Sequence, residues 1–197
     1  MSNFGTIQPS DILDRETYKS ERKKLRNEMV VRKKNRRIEI GPHITVYFEN
    51  RSTILHQINE MVYIEDGGIE QVKEEIGAYK SLVPNGKELI ITLMVEIDNP
   101  IKRAEVLKNL GGVEEKLSIT FGDKVINGKA ELDGDRTTAD GKASSVQFIH
   151  FNFTQEEIDV FNSEGTKARI EINHTYYQHM SGITEAVREE LKGDFIS

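Results

Sequence analysis

The alternation of hydrophobic and polar positions predicts several β-strands in this chain of 197 residues. From residue 38 to residue 49 apolar residues recur at every second position, which is typical of a strand with one buried face; they are Ile38, Ile40, Ile44, Val46 and Phe48. Gly41-Pro42 interrupts this run, so we expect either one bulged edge strand or two strands. Further strands are expected over residues 89–97, 117–121, 146–153 and 168–172.

Two details of the pattern bear on how these strands are arranged. Residues 89–97 are apolar on both faces, which favours a central position in a sheet. Gly122-Asp123 and Asn127-Gly128 both predict tight turns, and the second is the stronger hairpin signal. The polar stretch 133–142 is expected to be a loop.

A long helix is expected before the first strand. Ser10 is the expected N-cap, and the helix runs to about Asn35. Its buried face is expected to carry Tyr18, Leu25 and Met29. Arg32 has the same helical phase, and a buried arginine needs a carboxylate or carbonyl partner. We therefore expect Arg32→Ala to destabilise the protein more than Lys23→Ala.

The remaining helices are indicated mainly by their first and last turns. Asn50 and Asn99-Pro100 are start signals, a second helix of a pair follows Gly68, and Thr154 with Glu157 forms a capping box. A C-terminal helix is expected to carry Ile183, Ala186, Val187 and Phe195.

The order of these elements predicts the α+β class, because hairpin-joined strands have helices grouped before and after them. We expect a mostly antiparallel sheet of about five to six strands, a long N-terminal helix, a helical pair and a C-terminal helix. A single domain is expected over residues 1–197, in which residues 10–37 form a basic helix.

The charge of the chain is unevenly distributed, and this distribution adds polyanion binding to the possible functions. The net charge is −6, but residues 1–37 contain eleven Lys or Arg and five Asp or Glu. Such a segment can bind nucleic acid or another polyanion, or it can neutralise the acidic remainder of the protein or remain a solvated helix face. Tyr18 is the only aromatic residue between positions 5 and 46, so nucleic acid is possible but not favoured.

Several functional classes are excluded by composition and missing motifs. Without any cysteine the chain cannot form disulfides, thiolate zinc sites or cysteine-ligated iron–sulfur clusters. No run of 18 apolar residues and no apolar signal core occurs, so we expect a soluble, cytoplasmic protein without a membrane partner. The phosphate-binding loop of P-loop enzymes and the Gly-x-Ser-x-Gly turn of serine hydrolases are also absent.

The candidate site lies where the strand that ends at Glu49 continues into a helix. Arg51 there could hold an anion, and a histidine–carboxylate pair could transfer a proton. A structural polar network of Arg32 or Arg51 with Glu49 or Glu60 is the alternative. Arg136 and Lys142, in the expected loop of residues 133–142, could also bind an anion, or they are ordinary solvent-exposed charges. The candidate ligand-binding residues are thus Arg32, His43, Glu49, Arg51, His56, Gln57, Glu60, Arg136 and Lys142.

No metal site is predicted, and the cofactor and catalytic residues remain unknown. The five histidines show neither a pair of Glu-x-x-His helices nor His-Glu-x-x-His spacing. The segment that begins at Asp133 resembles a calcium loop, but Thr138 and Ser144 stand where glycine and glutamate are required.

Residues 36–61, RRIEIGPHITVYFENRSTILHQINEM, resemble an uncharacterised bacterial family that carries only a domain-of-unknown-function label. The resemblance extends over nearly the whole chain and includes residues 10–13, Asp135-Arg136, Gly141-Lys142 and residues 145–148. Members of that family are often encoded beside rubrerythrin, a di-iron protein that handles peroxide. The resemblance implies a companion of rubrerythrin and supplies no catalytic residue.

Three functional hypotheses follow. The first is a non-enzymatic accessory or binding protein in a rubrerythrin-linked peroxide or iron redox setting, whose ligand is a protein partner or a small anion. The second is an enzyme in which His43 or His56 acts with Glu49 or Glu60. The third is nucleic-acid or polyanion binding through residues 19–37.

Overall fold

The computed structural model describes residues 3–131 and 141–196, which form six α-helices and nine β-strands. The helices are α1 (Arg15–Lys34), α2 (Arg51–Glu65), α3 (Gly68–Tyr79), α4 (Pro100–Lys108), α5 (Gln155–Asn162) and α6 (Glu185–Lys192). The strands are β1 (Arg37–Ile40), β2 (Ile44–Glu49), β3 (Glu88–Val95), β4 (Leu117–Phe121), β5 (Lys124–Asn127), β6 (Lys129–Ala130), β7 (Val146–Asn152), β8 (Ala168–His174) and β9 (Tyr177–Ile183).

The strands form two antiparallel sheets. Sheet A has five strands in the order β1-β2-β3-β7-β6, and sheet B has four in the order β5-β4-β8-β9. The α+β class with antiparallel pairing is thereby confirmed, and β3 has the predicted central position. The division into two sheets differs from the single sheet that the sequence pattern predicts.

The strand β9 explains part of this difference. Only its first and last residues, Tyr177 and Ile183, are buried, so it lacks the alternation that indicates a strand. Because this alternation is missing, the sequence pattern wrongly assigns Ile183 to the C-terminal helix, whereas Ile183 is the last residue of β9. The helix α6 begins instead after Thr184, whose side chain accepts a hydrogen bond from the Val187 backbone N–H.

The larger apolar core is built from both sheets and from the helices α4 to α6. One face of β2 contributes Ile44, Val46 and Phe48, as the alternation predicts. Four phenylalanine rings, with the closest centroids 4.8 Å apart, pack together within this core; they are Phe121, Phe153, Phe161 and Phe195.

A smaller apolar cluster covers part of the opposite face of sheet A. Ile90 of β3 points into it, whereas its neighbours Leu89 and Ile91 belong to the larger core. Ile54 and Ile58 of α2 and Leu82 after α3 complete the buried part of the cluster. Both faces of β3 are therefore covered, and the second face positions the candidate site.

The helix α1 starts later than predicted, and its inward-facing side differs from the prediction only in the last turn. The segment Pro9–Asp11 forms a 3₁₀ turn, and Asp14 rather than Ser10 caps α1 by accepting from the Thr17 N–H at 3.0 Å. Tyr18 is buried as expected. Along the helix the inward-facing side shifts until Lys33 is half-buried and Arg32 is exposed. The prediction of a buried Arg32 is therefore wrong.

The buried arginine of this region is Arg36, which lies between α1 and β1 and is 1% exposed. Its Nε donates to the Phe48 carbonyl at 2.9 Å, and its Nη2 donates to the Glu49 carbonyl at 3.2 Å. The guanidinium also forms an ion pair with Asp194, which is fully buried. Arg36 thus has the carboxylate and carbonyl partners that a buried guanidinium requires.

The two turn signals after β4 have different roles. The β4–β5 hairpin closes at Gly122-Asp123, whereas Asn127-Gly128 carries the chain from sheet B to sheet A. Gly128 lies so close to sheet A that a Cβ atom there would be 2.5 Å from Ile149. The choice of Asn127-Gly128 as the better hairpin turn is therefore wrong.

Over residues 3–131 and 141–196, no helix combines the length and the hydrophobicity needed to cross a membrane.

Candidate functional site

Two adjoining depressions lie beside α2 on the outer face of sheet A. We call the first the inner cavity; its volume is about 410 Å³, and it is lined by Lys33, Tyr47, Glu49, Thr53, Ile54, Gln57, Tyr79, Leu82, Thr92, Met94, Val146 and Phe148. We call the second the outer groove; its volume is about 710 Å³, and it is lined by Arg26, Met29, Val30, Val31, Lys33, Lys34, Arg37, Tyr47, His56, Gln57 and Glu60. The two share Lys33, Tyr47 and Gln57.

Strand alternation and helical spacing place the side chains of the inner cavity. Tyr47 and Glu49 occupy the face of β2 opposite to its core residues, and Thr92 of β3 pairs in register with Tyr47. Thr53 and Gln57 are one helical turn apart on α2 and form the facing wall. The cavity therefore combines a polar sheet floor with a helical wall.

A buried carboxylate forms part of this floor. Glu49 is 8% exposed; its Oε1 accepts a hydrogen bond from Thr92 Oγ1 at 2.7 Å, and its Oε2 accepts one from Thr53 Oγ1. Thr53 belongs to the capping box of α2, in which it exchanges hydrogen bonds with Asn50. The start of α2 thereby holds Glu49 in place.

The outer groove is lined by cations. Within residues 3–131 and 141–196, Arg26, Lys33 and Lys34 make no ion pair, whereas Arg37 contacts Glu39 at 2.7 Å. Burial lowers the pKa of the His56 imidazole, and the charges of Lys33 and Arg26 lower it further against an opposing effect of Glu60. Burial and the neighbouring cations thus favour the neutral imidazole of His56.

Glu60 forms part of a structural network. Arg22 binds it through two hydrogen bonds of 2.9 and 2.8 Å, and the Tyr18 hydroxyl donates to it at 2.7 Å. The hydrogen bonds from Arg22 lower the pKa of Glu60 to about 2, and burial raises the pKa of Tyr18. This network joins α1 to α2, but its arginine is Arg22 and not the Arg32 or Arg51 that the structural alternative named.

The other predicted residues are dispersed. Arg51 donates to Asp11 Oδ2 at 2.6 Å and to the Thr6 carbonyl at 3.2 Å, so it anchors the N-terminal segment. His43 lies in the β1–β2 turn, at the end of β2 opposite Glu49. Lys142 lines neither depression. Arg136 lies outside the described residues.

The structure thus brings together only part of the predicted set. Glu49 and Gln57 meet in the inner cavity, and His56, Gln57 and Glu60 meet in the outer groove. Arg32 is exposed on α1, and His43 does not converge with Glu49. No three histidine, aspartate or glutamate side chains of the described chain lie close enough together to hold a metal ion.

Several residues of the site are missing from the sequence prediction. Thr92 had a detectable signal, since it is a polar residue within an otherwise apolar central strand. Apart from their positions in predicted helices, Lys33 and Thr53 had no feature in the sequence that would have identified them as residues of the site. His150 Nδ1 and Glu88 Oε2 lie 2.9 Å apart outside both depressions, and this pair is apparent only after β3 and β7 are aligned.

Comparison with known proteins defines the family. A family model described as a protein of unknown function (DUF3501) matches residues 6–195. The chain belongs to this family. Comparison with curated proteins gives no match.

A solved structure shares the fold of this family member. It is the crystal structure of a novel protein of unknown function from Burkholderia pseudomallei, which is 29% identical to this chain. The TM-score is 0.90, and the match covers 98% of this chain and 100% of the other. Because neither comparison names an activity, function must be argued from the two depressions.

Proposed function

We propose that this protein is a non-enzymatic binding protein whose outer groove receives an anionic group of a protein partner or small molecule. One observation carries the proposal. Arg26, Lys33 and Lys34 line one depression without an ion pair to any residue of the described ranges. Three neighbouring cations repel one another, and a bound carboxylate or phosphate relieves that repulsion.

The surroundings of the groove favour an anion that belongs to a larger molecule. Its volume of about 710 Å³ exceeds what a single inorganic ion fills. Val30 and Val31 on its rim are 71% and 73% exposed, so apolar contacts are available next to the charges. Gln57 on α2 can donate or accept hydrogen bonds at the same wall. An acidic peptide segment with apolar side chains has the matching chemistry.

The charge of the remaining chain also favours a defined orientation of an acidic partner. Residues 38–197 contain sixteen Lys or Arg and twenty-eight Asp or Glu, in contrast to the basic first 37 residues. An acidic partner is therefore repelled by most of the surface and attracted to α1.

The two alternative functions have weaker support. The enzyme hypothesis needs a histidine and a glutamate free to exchange a proton, but Glu60 is held by Arg22 and Tyr18. Nucleic-acid binding has the exposed basic helix that it requires. However, Tyr18 is buried, so α1 offers no aromatic side chain for base stacking.

The biological setting that we propose is the cytoplasm, in company with a rubrerythrin-type peroxide system. Its support is the sequence resemblance described above, in which relatives are encoded beside rubrerythrin. We expect the acidic partner to be rubrerythrin itself or a protein that acts with it. A purified rubrerythrin is therefore one of the probes in the experiment below.

The experiment compares two charge-matched double variants. Lys33→Gln/Lys34→Gln removes two cations from the groove, and Lys19→Gln/Lys23→Gln removes two exposed cations elsewhere on α1. Binding of inorganic phosphate, an acidic peptide, a single-stranded oligonucleotide and rubrerythrin is measured by calorimetry at several salt concentrations. The His56 ring signals are followed by NMR.

The groove variant is expected to weaken binding of the acidic peptide about ten-fold or more, while the control variant changes it little. Anion binding should also raise the pKa of His56, since a nearby negative charge favours the imidazolium. Equal losses in both variants would indicate nonspecific attraction to α1 and would reject the groove. Preferential binding of the oligonucleotide would favour the nucleic-acid hypothesis instead.

A further inference from the structure

The inner cavity contains a buried carboxylate that is solvated by hydroxyl groups rather than by a cation. Glu49 accepts one hydrogen bond from Thr92 and one from Thr53. Among residues 3–131 and 141–196, no lysine, arginine or histidine forms an ion pair with it. Arg36 reaches its backbone carbonyl, but the charge of Arg36 is matched by Asp194.

Two threonine hydroxyls are the hydrogen-bond partners of the Glu49 carboxyl group. The Asn50 backbone N–H donates to Thr53 Oγ1 at 2.9 Å, and the Thr53 hydroxyl can donate its one proton to Glu49 Oε2 or to the Asn50 carbonyl, which lies 3.0 Å away. An ionised carboxylate can accept about four hydrogen bonds, and these two threonines supply two. An ionised Glu49 therefore keeps acceptor capacity in the cavity that it lines.

We propose that the inner cavity binds a small molecule with a cationic nitrogen and an apolar body, and that Glu49 accepts hydrogen bonds from that nitrogen. A volume of about 410 Å³ lies within the range of small-molecule sites, about 300–1,000 Å³. The apolar body would lie against the apolar part of the lining, which comprises Ile54, Leu82, Met94 and Phe148. A cation placed there compensates the buried charge that the described protein residues leave unpaired.

This ligand class is distinct from the anion of the outer groove. Lys33 lines both depressions, but Arg26 and Lys34 line only the groove. Glu49 lines only the cavity. The two proposals therefore have separate variants and can succeed or fail independently.

The test uses three probes with the same phenyl ring and a similar short chain but different head groups. They are 2-phenylethylamine, 2-phenylethanol and 3-phenylpropionate, titrated into the full-length protein up to millimolar concentrations. We expect the amine to bind most tightly and the carboxylate most weakly. In Glu49→Gln the amine should bind about ten-fold or more weakly, while the alcohol changes less, because only the cation loses its counter-charge.

The protein offers a matched control on the same face of sheet A. Glu96 also accepts hydrogen bonds from two hydroxyls, Thr45 Oγ1 at 2.5 Å and Tyr47 at 3.1 Å, but it is exposed and outside the inner cavity. Glu96→Gln should leave the affinity for all three probes unchanged. A similar loss in Glu96→Gln and Glu49→Gln would assign the effect to the general charge of the sheet and would overturn the proposal.

A second measurement does not depend on the folding of a variant. In the wild-type protein, the methylene next to the amine nitrogen should show nuclear Overhauser contacts to the methyl groups of Thr53 and Thr92. Contacts elsewhere, binding of the carboxylate as tight as that of the amine, or no amine binding at millimolar concentration would each reject the proposal. Amine selectivity with these contacts would support it even if Glu49→Gln failed to fold.

Discussion

The connection between α1 and α2 rests on Glu60, and its removal should have a measurable cost. Glu60 accepts two hydrogen bonds from Arg22 and one from the Tyr18 hydroxyl. Its pKa falls from the ordinary 4.5 to about 2, chiefly through the hydrogen bonds of Arg22. At about 1.4 kcal/mol per pKa unit this corresponds to at most about 3 kcal/mol.

The measured effect should be smaller than that limit. The side chains of Arg22 and Glu60 retain 29% and 16% exposure, so water screens the pair. An amide at this position also keeps one acceptor for Arg22 or Tyr18. We therefore expect Glu60→Gln to lower the free energy of unfolding by about 1–2 kcal/mol at pH 7.

Urea titrations at several pH values test both the size and the sign of this effect. Because the pKa of Glu60 is lowered in the folded protein, its contribution is fully present above the ordinary value of 4.5 and is lost as the pH falls through about 2. The difference between wild type and Glu60→Gln should thus shrink as the solution is acidified below pH 4.5.

An exposed pair on α1 provides the control. Lys24 and Glu28 are 4.0 Å apart, and Glu28→Gln should change stability by less than about 0.5 kcal/mol. If Glu60→Gln and Glu28→Gln gave the same midpoint in urea at pH 7, the Arg22–Glu60 pair would not hold α1 to α2. A difference that did not depend on pH between 6 and 3 would reject the electrostatic explanation.

Three further predictions concern the buried ion pair and cooperativity. Arg36→Ala should cost about 3–5 kcal/mol in urea, since it leaves Asp194 buried without its cation, whereas Arg32→Ala should be within about 0.5 kcal/mol of wild type; equal midpoints would contradict this assignment. Burial raises the pKa of Asp194 to about 6 against the effect of Arg36, so the carbon-13 signal of its carboxyl group should titrate near pH 6. Because this pKa is higher than in the unfolded chain, the contribution of Asp194 to stability should fall as the pH rises from 3.8 to about 6. A titration midpoint near 3.8 would indicate a solvated carboxyl group. Because both apolar clusters share sheet A, we expect a single unfolding transition, and two resolved transitions in calorimetry would indicate two domains.

Part of the candidate site could be predicted because it depends on local geometry. Glu49 follows from the alternation along β2, and Gln57 follows from its spacing after the Asn50 cap of α2. Their common cavity could not be predicted, because its floor includes Thr92, 43 residues away from Glu49 in the chain. The pairing of β2 with β3 brings these residues together.

The prediction for α1 shows that helical periodicity alone does not identify every residue that a helix buries. Helical phase correctly identified Tyr18 as buried, and it also required a buried arginine with a carboxylate partner. An ideal phase selected Arg32, but the side of α1 that faces the protein depends on how the helix lies against α2 and sheet A. The buried arginine next to α1 is Arg36, and its partner Asp194 is 158 residues away in sequence.

The local elements could be read from the amino-acid sequence: the faces of β1 to β3, the starts of α2, α4 and α5, and the α+β class. These depend on side-chain periodicity and on backbone caps, which involve residues only a few positions apart. The division into two sheets, the strand β9 and the pairing of the charges became apparent from the three-dimensional structure. Those features depend on contacts between distant segments, since burial and charge compensation are settled only when the apolar faces have packed together.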